Sequence, residues 1–120
     1  MADGKFYYPA VAHCAYYSCV HLMQHIWFYK MNKTKSELDR ECRSQSTGKH
    51  AVLINQIGTF IRTNTRNRYA LSDFQTFNSK ITQLKRLRNS ADYTEASFDI
   101  RKSQNSIDLA EKLIPILKRV

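Results

Sequence analysis

Residues 74–93 read FQTFNSKITQLKRLRNSADY, and the way this stretch winds decides the fold. At about 100° per residue, Phe74, Phe77, Ile81, Leu84 and Ala91 fall in one stripe about 100° wide, the pattern of an amphipathic helix. Arg88 sits in the middle of that stripe, about one turn from Leu84 and Ala91. Two readings of this inward cation are open. It is structural, with its stem packed and its head neutralised by Asp92 at i,i+4, or it is a functional arginine.

Upstream, Ser72 or Asp73 is the expected N-cap of this helix, and the polar, β-branched run from Arg62 to Arg68 is the expected loop before it. A helix is expected from Lys49-His50 to about Thr63, with Val52, Leu53, Ile57, Phe60 and Ile61 as its apolar positions. Before it, Ser36 with Asp39 three residues on predicts a short capped helix to about Arg43. Pro9 fits the first turn of an opening helix that runs to about Met31 or Asn32. In that helix Val11, Cys14, Ala15, Cys19, Leu22, Ile26 and Tyr29 form an apolar stripe. His13, Tyr17, His21 and Gln24 form a second, aromatic and polar one, which faces either solvent or a groove or subunit contact. A last helix is expected from Ser103–Ser106, with Ile107, Ala110, Leu113, Ile114 and Leu117 inward and its end kinked or frayed by Pro115.

With 120 residues, 42% of them hydrophobic, the chain suits one domain with one core, spanning 1–120. Three Gly and two Pro leave strand-and-turn architectures short of reversal residues, so an all-α bundle of four to five helices is expected. Cys14, Cys19 and Cys42 match no zinc spacing, and no metal or cofactor is implied. Residues 1–5 lack the basic start and apolar run of a secretory leader, and a cytoplasmic location is expected. His13, His21, Gln24 and His25 interrupt the apolar stretch Ala10–Tyr29 and argue against a membrane span.

The net charge of +9 is uneven. Residues 61–120 hold twelve Lys/Arg against six Asp/Glu, and between Arg62 and Arg88 seven basic residues face Asp73 alone. Such a field suits a polyanion such as RNA, or simply confers solubility.

The order of four features resembles the small HEPN proteins, the higher eukaryote and prokaryote nucleotide-binding family. These are AHCAYYSCVHLM in the first helix, Lys49-His50 opening the middle helix, LRNSADY late in the next, and the closing helix over 103–119. The resemblance implies an antiparallel up-and-down bundle that homodimerises, with arginine motifs facing each other across a basic cleft that binds RNA or nucleotide. It implies, for many members, metal-independent ribonuclease activity in toxin–antitoxin, CRISPR-associated or phage-defence systems. Arg88 and Asn89 match the Arg and polar residue of the family motif, while Tyr93 stands where the motif has His. Arg88, Asn89 and Tyr93 are thus the candidate catalytic set, and Arg88, Lys85, Arg86, Lys49 and His50 the candidate nucleic-acid or nucleotide contacts.

Metal-free RNA cleavage moves a proton from the ribose 2′-OH, attacks the adjacent phosphate and protonates the leaving 5′-oxygen, which suits an imidazole. Tyrosine, with a pKa of about 10, donates far more readily than it accepts. His50, His13 or His21 could supply the proton exchanger if the fold brought one to Arg88. The alternative is a non-catalytic HEPN interaction module partnering a nucleotidyltransferase. Some members carry a tyrosine modified by such an enzyme two residues beyond the motif His, but Glu95 occupies that position here.

Overall fold

The computed structural model describes residues 8–46, 48–64, 68–93 and 100–120, with residues 8–9 and 90–93 described by their backbone alone. The described residues form an all-α bundle of five helices: α1 (Tyr8–His25), α2 (Lys35–Gln45), α3 (Lys49–Arg62), α4 (Ala70–Tyr93) and α5 (Ile100–Arg119). Among the described residues no helix is long and apolar enough to cross a membrane.

The stripe on α4 behaves as its period requires: Phe77, Ile81 and Leu84 are fully buried. They meet Tyr16, Cys19, Val20 and Met23 of α1, Ile57 and Ile61 of α3, and Leu113, Ile116 and Leu117 of α5 in one core. α1 lies against both α4 and α5, α3 packs on α4, and α2 on α3. A satellite core gathers Trp27, Leu38, Val52 and Leu53 beneath the turn that follows α1.

That turn explains where α1 ends. Residues Ile26–Lys30 widen into a π turn, closed by the Met31 amide donating to the Ile26 carbonyl at 2.8 Å. Asn32 takes φ 53°, a left-handed conformation that asparagine tolerates better than most side chains. The widening carries Trp27 to full burial, where its indole N–H donates to the Thr34 carbonyl at 2.9 Å.

Several expected boundaries are corrected. The cap of α2 is Thr34, not Ser36: its hydroxyl accepts from the Glu37 amide at 3.2 Å. α4 begins at Ala70, so neither Ser72 nor Asp73 caps it. Asp73 instead sits within the first turn, buried, and accepts from Arg119 at 2.8 Å, tying the start of α4 to the end of α5. α5 starts at Ile100 and runs through Pro115 without ending there. Buried Ile116 and Leu117 pack its last turn in place, which offsets the backbone bond that proline forfeits.

Helical faces are rotated from their expected positions in two elements. In α1 and the π turn that follows it, Cys14 and Tyr29 are exposed, whereas Ala12, Tyr16, Val20, Met23 and Trp27 are core. The stripe that is buried includes the larger aromatic side chains, which hold more apolar area than Cys14 could. In α5, Ser103, Ser106 and Leu109 point inward and Ile107 is exposed, with the Ser106 hydroxyl satisfied by the Lys102 carbonyl at 3.0 Å.

α3 and α4 approach closely at buried Gly58, where an added Cβ would lie 3.3 Å from Phe74 Cε1 and 3.7 Å from Phe77 Cε2. Gly58→Leu is therefore expected to overpack this crossing and destabilise the fold by about 1–3 kcal/mol, read as a lower urea midpoint at unchanged slope. Gly58→Ala is expected to cost much less, because better helix propensity offsets the tight contact by about 1 kcal/mol.

Candidate functional site

Three helices converge on Arg88. α1 brings the adjacent pair Tyr16-Tyr17, the first turn of α3 brings Lys49 and His50, and the last third of α4 brings Lys85, Arg88 and Asn89. Arg88 Nη2 donates to Tyr17 Oη at 2.9 Å, and Arg88 Nη1 donates to Asn89 Oδ1 at 3.2 Å. The guanidinium carbon lies 5.7 Å from the Tyr16 ring centroid and 5.5 Å from that of Tyr17.

These contacts account for a cation on an inward stripe. Withdrawing a guanidinium from water costs several kcal/mol. A hydrogen bond to a charged donor returns about 1.5–3 kcal/mol, and each aromatic face about 0.5–2 kcal/mol. The sum is of the same order as the cost at the half-buried position Arg88 occupies. The hydroxyl it meets, that of Tyr17, comes from another helix; the side chain of Asp92, expected as its ion-pair partner, lies outside the described residues, as does that of Tyr93.

His50 joins the same cluster. Its Nδ1 is 3.1 Å from Tyr16 Oη, and its ring packs 5.5 Å from Tyr16 and 5.7 Å from Tyr17, the latter edge-on. Burial, then the positive charges of Arg88, Lys85 and Lys49, push its pKa below the usual imidazole value, so the ring is neutral at pH 7. Fully buried Tyr16 has its phenol pushed up to about 12, chiefly by burial and against the pull of Arg88, so it stays protonated. Two hydrogen placements follow. If Tyr16 donates to Nδ1, the proton of His50 sits on Nε2. If Nδ1–H donates to Tyr16, Nε2 keeps a lone pair and can act as a base.

The surface extends along α1 through His13, whose ring stacks on Tyr17 with centroids 6.4 Å apart and planes 6° from parallel. A neutral imidazole, a guanidinium and an aromatic ledge thus share one place, flanked by Lys49 and Lys85. Not all expected contacts belong to it. Arg86 lines a separate cleft between α4 and α5, because two residues of helix turn its side chain away from that of Arg88. His21, a candidate proton exchanger, is exposed on α1.

Tyr16 and Tyr17 are the partners that pattern reading passed over, although Tyr17 lay on the polar stripe with His13. Cys19 is no nucleophile candidate: it is fully buried and its thiol is pushed up to about 12. Among the described residues no group of three or more His, Cys, Asp or Glu side chains is placed to hold a metal ion.

The electrostatics predict a titration. By NMR, the His50 ring should protonate below pH 6.5, and Arg88→Ala should raise that midpoint part of the way back, since burial remains. The unfolded chain then takes up this proton at higher pH than the folded one. This group's contribution therefore makes stability fall as pH drops from above 6.5 through the depressed folded value, and Arg88→Ala should shrink that pH dependence.

Comparison with protein-family models, curated proteins and solved structures gave no match for this chain.

Proposed function

We propose that this chain is a HEPN-type helical protein that binds RNA at the Arg88 centre, as a homodimer, and cleaves it without a metal in a toxin–antitoxin or defence setting. The observation that carries this reading is the gathering of Arg88, neutral His50 and the two tyrosines from three helices, beside the cations Lys49 and Lys85. Arg88 and Asn89 hold the scissile phosphate, and Arg88 stabilises the charge that develops on its oxygens. His50, through Nε2, takes the 2′-OH proton as that oxygen attacks phosphorus. The bond to the 5′-oxygen breaks, leaving a 2′,3′-cyclic phosphate, and the departing oxygen takes a proton from Tyr93 or water. The Tyr17–His13 ledge offers a stacking face for a neighbouring base.

A second reading rests on the same contacts. Arg88 is already engaged by Tyr17 and two rings, which suits a structural arginine in a non-catalytic module that docks a partner such as a nucleotidyltransferase.

Purified protein incubated with mixed RNA in EDTA is expected to give products with cyclic-phosphate ends. Arg88→Ala and His50→Ala should each slow their formation by 100-fold or more. Intact RNA bound with an affinity that falls with salt and with Arg88→Ala would favour a binding role without cleavage. Neither cleavage nor binding would overturn the proposal and leave the partner-docking reading.

A further inference from the structure

On the other side of α4 a cleft of about 460 Å³ runs between α4 and α5, lined by Lys80, Gln83, Arg86 and Leu87 of α4 and by Asn105, Asp108, Leu109 and Lys112 of α5. From the α4 register, Lys80 and Leu87 share one line of the helix, with Gln83 and Arg86 progressively to its side. The Asp73–Arg119 ion pair joins the start of α4 to the end of α5, so α5 runs antiparallel along α4, which sets Lys112 toward Lys80 at one end and Asn105 toward Arg86 at the other. Lys80 and Arg86 are separated by about 9 Å of helix axis.

The lining carries three cations against a single carboxylate, Asp108, which already accepts from Gln104 at 3.1 Å. Among the described residues no ion pair ties Lys80, Arg86 or Lys112 to an acid. Three cations on two facing helices outnumber this one carboxylate and repel one another. The floor, Leu87 and nearly buried Leu109, is apolar and lowers the local dielectric, and the amides of Gln83 and Asn105 can donate to oxygens. The volume falls in the range of small-molecule sites.

We infer that this cleft is a second, independent anion site, which takes a small ligand bearing two or more linked phosphates. The Lys80–Lys112 end and the Arg86 end each bind phosphate oxygens, with the guanidinium bidentate at its end. A single phosphate can neutralise only one end, so a longer oligophosphate binds more tightly. The site does not involve Arg88, whose side chain faces Tyr16 and Tyr17 instead.

Calorimetric titration of the intact protein with tripolyphosphate and with orthophosphate tests this. Expected is saturable one-to-one binding of tripolyphosphate, at least tenfold tighter than orthophosphate. Lys80→Gln with Arg86→Gln should weaken it tenfold or more, while Arg88→Ala should leave it unchanged; circular dichroism confirms that the variants fold. The control Lys33→Gln with Lys35→Gln removes the same charge elsewhere and should change affinity less than threefold. No saturable binding would overturn the inference, and so would equal weakening by the control pair or loss on Arg88→Ala. None of these results bears on RNA cleavage at Arg88, which is scored separately by the nuclease assay.

Discussion

A guanidinium on the inward face of α4 constrains how three helices meet. Arg88 cannot be packed against aliphatic groups alone, so α1 must present something that accepts a hydrogen bond and tolerates a cation over its face. The Tyr16-Tyr17 pair does both at once: the Tyr17 oxygen accepts from Arg88, and both rings lie within 6 Å of its centre. Tyr16 in turn reaches His50, which brings the first turn of α3 into register with α1. A chain of polar contacts with directional geometry therefore runs across the otherwise apolar contact of α1, α3 and α4.

That arrangement couples packing to chemistry. Burial keeps the Tyr16 proton in place and removes the proton from His50, and the cations Arg88, Lys85 and Lys49 reinforce the second effect. A structural device for tolerating a half-buried charge thereby leaves a neutral imidazole close to a guanidinium, the pair on which the proposed acid–base chemistry rests. The same helix presents unrelated cations to its other side, so α4 separates two basic regions, one aromatic and one with an apolar floor.

Much of the architecture was legible in the residue pattern. The α4 stripe, the limits of α3 and the all-α class follow from periodicity and from the scarcity of Gly and Pro, because a helix of any fold must bury a face repeating near 3.6 residues. Caps were less legible. Thr34 and Ser36 both precede a carboxylate three residues on, and only the hydrogen bond to the Glu37 amide distinguishes them. The faces of α1 with its π turn and of α5 were read incorrectly at Cys14, Tyr29 and Ile107, since alternative stripes of similar hydropathy run along those segments, and the one buried depends on which neighbours are available.

The candidate site divides the same way. Local pattern determined that Arg88 is out of place on its stripe, that Asn89 adjoins it and that basic charge surrounds it, because these are matters of spacing along one helix. Tertiary structure decided that Tyr17 is among its partners, that His50 is brought near, and that Arg86 belongs elsewhere. Those relations join residues 71 and 34 positions apart, and contacts between separate helices depend on crossing geometry that no single helix encodes.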